Sequence, residues 1–238
     1  VINIKNCHGG LEAATLNVYS GNITIHASDD CLNAANSDLS GYAFSLNIYG
    51  GTLVMDTTSG DGVDSNGSLT ISGGTLVVWS ANTADNQPLD ADGTITISGG
   101  TVLAAGGSNG MGMNLSASQP YVIYGSASGM GSGMGGNFPG GGRGNGNFPD
   151  RSDQSGGGFT GDTNDTKGGF TGGNPYGGFP GNAGSSVSIS SGSTITLKDS
   201  SGNTVYSGEA LCSASVLIFS SSALENGETY TLYVNNTE

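Results

Sequence analysis

Four stretches of the chain share one pattern of apolar and polar positions: LNVYSGNITI from Leu16, LNIYGGTLVM from Leu46, LTISGGTLVV from Leu69 and ITISGGTVLA from Ile95. Each runs apolar-polar-apolar, crosses two small residues of which the second is Gly, and then resumes the alternation. A period of 2 predicts half-buried strands. Gly21, Gly51, Gly74 and Gly100 fall in one column, which predicts a corner with positive φ or a close backbone approach. The starts lie 30, 23 and 26 residues apart, and the long first interval carries an insert, SDLSGYAFS, ending at Ser45. A recurring unit of this size with two or three short strands predicts an all-β chain wound as a parallel β-helix, a solenoid whose equal columns stack about 4.8 Å apart. A β-sandwich would also give short strands. It would not put Gly, and then an acid, at matching places in every unit.

The segments between the strand pairs align as well. Leu11, Leu32, Val63 and Leu89 form an apolar column that predicts an inward ladder. Glu12, Asn33, Asp64 and Asp90 follow as the next, outward column, and Asn66 and Asp92 come two residues later. Just before the apolar column lie Asp29 and Asp30, then Asp61, then more loosely Asp85; the first unit has His8 and Gly9 at that place. Like charges stacked at strand spacing destabilise a sheet and raise one another's pKa. A bound cation removes the difficulty. Ca²⁺ takes 6–8 oxygens from carboxylates, amides, backbone carbonyls and water, which Asp, Asn and Glu of adjacent coils supply. Zn²⁺ wants His or Cys, and the chain has two His. The candidate calcium ligands are Asp30, Asn33, Asp61, Asp64, Asp85 and Asp90, with Glu12, Asp29, Asn66 and Asp92 behind them. The plainer reading is that these residues satisfy local backbone as Asx turns, and both can hold at different columns.

Composition narrows the partners. There are 19 acids against 5 bases, net charge −14. Phosphate backbones and anionic membrane surfaces demand Lys and Arg, so nucleic acid and membrane surfaces are poor partners. No apolar run is long enough to span a bilayer. Cations and polar sugars remain. The three cysteines, Cys7, Cys31 and Cys212, match no zinc spacing,. An odd count argues against a full disulfide framework, while Cys7 and Cys31 on neighbouring coils would be within reach of each other. The chain begins at Val1, mid-pattern and without Met, as a chain trimmed of a signal segment would.

These residues carry a family resemblance. ASDDCLNAAN, SGDGVDSNGSLTISGGTLVV and NQPLDADGTITISGGTVLAAG resemble a bacterial carbohydrate-binding family with a polysaccharide-lyase-like, calcium-bearing, right-handed parallel β-helix. The closing stretch from Ile195 to Asn236 resembles that family's C-terminal end. The resemblance implies a secreted or cell-surface protein that binds plant-type polysaccharide, cellulose or an acidic polymer such as pectin, with Ca²⁺ as its cofactor. Cys31 departs from it, standing where a DDG turn would have Gly.

Catalysis finds little support. A pectate-lyase site needs calcium and a strong base, usually Arg or Lys, and up to Ser118 the chain has only Lys5. SDDC faintly resembles the paired Asp of polygalacturonases, but CHGG at Cys7 is a poor copy of their Gly-His-Gly turn and no Arg-Ile-Lys stretch exists. The reading is therefore a non-enzyme.

Residues 125–184 change character. They are Gly-rich, and Phe138, Phe148, Phe159, Phe170 and Phe179 recur among them with Arg143, Arg151 and Lys167. Such a segment cannot bury enough surface to offset its ordering entropy. It predicts an inserted loop, or an adhesive arm, between β-helix coils in 1–124 and the final coils and C-terminal cap of the same domain in 185–238. Trp79, Tyr19 and Tyr49 are candidate sugar-stacking residues, because amphipathic rings suit carbohydrate faces; corner packing is the alternative for each. Taken with the acidic columns, the resemblance implies a secreted or cell-surface, calcium-stabilised, non-catalytic polysaccharide-binding module. The alternative is an extracellular filament or surface-layer subunit that self-associates by stacking coil ends.

Overall fold

The computed structural model describes residues 1–38, 41–107, 113–125, 170–171 and 187–237. They belong to one compact unit built from residues 1–132 and 168–238. Most of the Gly/Phe-rich segment, including Phe138, Phe148, Phe159 and Phe179, lies outside the described residues.

The unit is all-β. The first repeat holds β1 (Ile2–Cys7), β2 (Leu11–Glu12) and β3 (Thr15–Val18), and the second holds β4 (Asn22–Ala27), β5 (Leu32–Ala34) and β6 (Ser45–Ile48). The third holds β7 (Thr52–Thr57) and β8 (Val63–Ser65), and then β9 (Ser68–Trp79) and β10 (Ile95–Gly106) run unbroken through the Gly corner. β11 (Leu115–Ala117) and β12 (Tyr121–Gly125) follow, then β13 (Phe170–Thr171), β14 (Thr194–Lys198), β15 (Thr204–Glu209), β16 (Val216–Ser220) and β17 (Thr229–Val234).

Equal positions of successive repeats pair in parallel. Ile23 lies opposite Leu53, and Leu53 opposite Leu76. Leu16, Leu46, Leu69, Ile95 and Leu115 form one inward ladder across β3, β6, β9, β10 and β11. β2, β5 and β8 form a separate three-stranded parallel sheet. The inward ladders meet in one core around Ile25, Leu32, Leu46, Leu53, Leu69 and Leu89, all fully buried. Burying an aliphatic side chain stabilises by about 1.5–3 kcal/mol, and the ladder repeats that gain in each repeat.

The corner glycines behave as their column predicts. Gly21, Gly51, Gly74 and Gly100 have φ of +112°, +99°, +84° and +86°. A Cβ on Gly74 would stand 2.6 Å from Gly51 O, whereas one on Gly21, at the end of the stack, meets nothing within 4 Å.

The C-terminal region departs from the expectation of further parallel coils. β16 joins the large sheet antiparallel, between β10 and β12. β14, β15 and β17 form an antiparallel sheet, with β13 on the outer side of β17. A second buried cluster results, holding Trp79, Leu103, Ala105, Ile195, Leu197 and Phe219. The reason lies in one outward column of the large sheet. Lys5, His26, Asp56, Trp79 and Ala105 are successive register partners in it. The column is charged in the first repeats and apolar in the last two, so the last two need cover. Tyr124 donates its hydroxyl to Tyr230 O at 2.9 Å across this second core.

The corner geometry gives a paired test. Gly21→Ala is expected to cost about 1–2 kcal/mol, from left-handed strain alone. Gly74→Ala adds a backbone clash and should lower the denaturation midpoint clearly further. Urea titrations of both variants check the ordering.

Candidate functional site

The acidic positions sit on the parallel sheet of β2, β5 and β8 and on the turns entering it. Register places Glu12 beside Asn33 and Asn33 beside Asp64. Asp90 N donates to Val63 O at 2.8 Å, which sets the next repeat on top. Side chains alternate along these short strands, so Leu32 and Val63 point inward while Asn33 and Asp64 point out.

The geometry brings together Asp61, Asp64 and Asp90, each half-buried, with one carboxylate oxygen apiece within 4.8 Å of the others. Asp30 adjoins them. Its Oδ1 accepts from Asp61 N at 2.8 Å and its Oδ2 from Asn33 Nδ2 at 3.0 Å. Asn33 Oδ1 in turn accepts from Ala35 N at 2.7 Å, an Asx turn,. Asp61 Oδ1 accepts from the backbone N–H of Gln87. Each carboxylate at this place thus caps the next repeat's backbone as well as facing the cluster.

The other candidates lie further out. Asn66 donates to Asp92 Oδ2 at 3.2 Å and accepts from Asn36 N at 2.7 Å, an amide-carboxylate ladder beside the cluster. Glu12 is exposed on the first repeat. Asp29 is 3.3 Å from His8 Nδ1. Asp85 is corrected: it is exposed and lies outside the cluster. Its expected place is held by Gln87, buried at 4% exposure. Asp30 and Asp61 each precede the apolar anchors Leu32 and Val63 by two residues, and counting back two from Leu89 gives Gln87, a signal legible in the sequence but passed over for the nearest acid.

Burial is the main cause of the site's electrostatics. It pushes Asp61 up to about 8, against a partial lowering by the Gln87 N–H and with further raising from Asp90, Asp30 and Asp64. Asp64 is pushed up to about 7 by burial, then by Asp30, Asp90 and Asp92. Asp30 and Asp90 are raised as well, again chiefly by burial. The ion pairs among the described residues are His8–Asp29 and His26–Asp56, and neither touches the cluster. A cation bound at 2.3–2.6 Å from each oxygen allows ligands up to about 5 Å apart, so this all-oxygen set can coordinate a divalent cation.

The aromatic candidates separate. Tyr19 and Tyr49 are 69% and 45% exposed, with parallel rings stacked at 4.9 Å between centroids and 11° between planes. Trp79 is corrected: it is fully buried in the second core, under the C-terminal sheet, and cannot meet a sugar. Its indole Nε1 has no hydrogen-bond partner. Cys7, Cys31 and Cys212 are free thiols, so Cys7 and Cys31 do not pair.

Residues 6–110 match the model of a family described as carbohydrate-binding domain-containing protein. That span holds both the acidic cluster and the tyrosine stack. No curated protein and no solved structure matches the chain. Among the described residues no helix is long and apolar enough to cross a membrane.

The pKa shifts fix a sign. Asp61 and Asp64 are raised from 3.8 in the folded chain, so without a cation the fold binds extra protons. That stability is fully present below about 3.8 and is lost as pH rises through about 7–8. The cation-free chain should melt lower at pH 8.5 than at pH 5. Asp64→Asn should reduce that difference and raise the cation-free midpoint at pH 8.5. Paired thermal melts in chelator check both.

Proposed function

We propose that the chain is a non-catalytic polysaccharide-binding module whose acidic cluster holds structural calcium. The observation that carries this reading is the family match over the same residues, 6–110, that contain the cluster and the exposed tyrosines. Asp61, Asp64 and Asp90 are the central ligands in this reading, with Asp30 and Asn33 next to them. Calcium is favoured over zinc by the all-oxygen donors, and over magnesium by its tolerance of irregular geometry and longer oxygen distances, where magnesium demands a near-ideal octahedron. Bound there, the ion neutralises the stacked carboxylates and ties three successive repeats together. No step of bond making is assigned to the site: up to Ser118 the only Lys or Arg is Lys5, which leaves a lyase without its base.

In finer detail the fold reads as a right-handed parallel β-helix. Parallel strands of the large sheet are joined by crossover connections, several of which pass through the ladder of β2, β5 and β8, and such crossovers are right-handed in about 98% of cases. The Gly-rich segment is then an insertion between this solenoid and its C-terminal cover. Function outside the cell or at its surface follows from a polysaccharide partner. A second reading, self-association into filaments, is favoured by one observation. β1 is an edge of the large sheet, with Ile2 43% exposed, and an uncovered edge is a template for another strand.

A thermal melt in excess chelator and in millimolar calcium tests the metal. Calcium should raise the midpoint by many degrees near neutral pH, because a ligand bound only to the folded state stabilises it. The gain should shrink toward pH 5, where the carboxylates hold protons. No calcium effect would overturn the metal reading. Co-sedimentation with insoluble polysaccharide tests the binder, and regular fibres in electron micrographs would favour the filament.

A further inference from the structure

The face built by β3, β6, β11 and the first halves of β9 and β10 differs from the rest of this acidic chain. Its central outward column is Asn17, Asn47, Thr70, Thr96 and Ser116, in continuous register and without a charge. Asn47 Nδ2 donates to Asn17 Oδ1 at 3.0 Å. The neighbouring column begins with Tyr19 and Tyr49. Ile48 pairs with Ile71, so the residue one step on from Tyr49's place is Ser72, which is exposed.

The ring column therefore stops at its second member. Tyr19 covers one face of the Tyr49 ring. On the other side, where a third ring would stand, there is only a serine hydroxyl. The floor is bare as well: Gly73 follows, and a Cβ there would stand 2.5 Å from Tyr49 O, so the repeats approach too closely for any side chain. The result is a notch open toward the later repeats, since Gly99 stacks over Ser72 O and the next place in the column, Ser98, is again a small exposed residue. It is walled by an aromatic face and flanked by the hydroxyls of Ser72 and Thr70.

We propose that this notch is a subsite for one pyranose ring of a neutral glycan, stacked on Tyr49 in the place of a third tyrosine. This rests on the carbohydrate-binding reading and specifies where and what it binds. A pyranose has a flat C–H face that packs on an aromatic ring and a rim of hydroxyls for polar neighbours. The glycan is neutral because this face offers no cation to a uronate, and a net charge of −14 repels polyanions. The tyrosine pair is thus one wall of the site, not a flat platform, since each ring already spends a face on the other.

The test is affinity electrophoresis of the full, calcium-loaded chain through gels carrying soluble neutral β-glucan, xylan or mannan, or polygalacturonate. The wild type should be retarded by at least one neutral glycan. Ser72→Tyr, which completes the ring stack, should lose at least tenfold in affinity with its melting midpoint held. Tyr49→Ala should lose as much, and Tyr42→Ala, at another exposed tyrosine, should lose nothing. Unchanged or tighter binding by Ser72→Tyr would overturn the notch while leaving the carbohydrate reading intact. Retardation by polygalacturonate alone would overturn the neutral ligand. No retardation by any polymer would sink the carbohydrate reading itself.

Discussion

Parallel stacking in register is the constraint on which everything else in this molecule rests. Once Leu16 lies under Leu46 and Leu46 under Leu69, every other column is committed to the same partner. An apolar column gains with each repeat, because each added side chain leaves water and finds a neighbour of its own shape. An acidic column loses with each repeat, because desolvation and like charge add up at strand spacing. The raised carboxylates Asp61 and Asp64 are the direct cost of that geometry. The cluster is therefore a place where the fold is under tension unless a proton or a cation supplies positive charge.

The stacking also explains the hydrogen bonds around the cluster. Asp30 and Asp61 each accept a backbone N–H from the repeat above. These are turn-capping bonds, and they use one oxygen of each carboxylate. The second oxygen of Asp30 accepts from the Asn33 amide, while Asp61 also offers a carboxylate oxygen to the cluster. Turn capping and the acidic cluster thus overlap at Asp61, which caps the Gln87 N–H and also stands within the cluster.

Much of this was legible in the sequence, for a physical reason. Repeated units declare their columns, so the inward leucines, the positive-φ glycines and the Glu12–Asn33–Asp64 register followed from alignment alone. The legible part ended where repetition ended. Asp85 looked like a ladder member because it is an acid near the right place, but register is set by the apolar anchor Leu89, and the anchor selects Gln87. Trp79 shares its column with Asp56 and His26, which are surface positions in the earlier repeats. Its burial depends on the segment from Val187 onward, which folds back over β9 and β10 and has no counterpart in any repeat. Composition alone could not reveal that a non-repeating segment would supply a second core, or that its strands would run antiparallel.

The column that passes from Lys5 through His26 and Asp56 to Trp79 and Ala105 also limits how such a protein can lengthen. A unit duplicated near β4–β6 would add another polar rung and leave the cover undisturbed. A unit duplicated at β10 would place a new apolar rung beyond the reach of the C-terminal sheet, exposing it to water and to other chains. Growth of the array is therefore permitted at one end and forbidden at the other, and the gradient of side chains along a single column records which end is which.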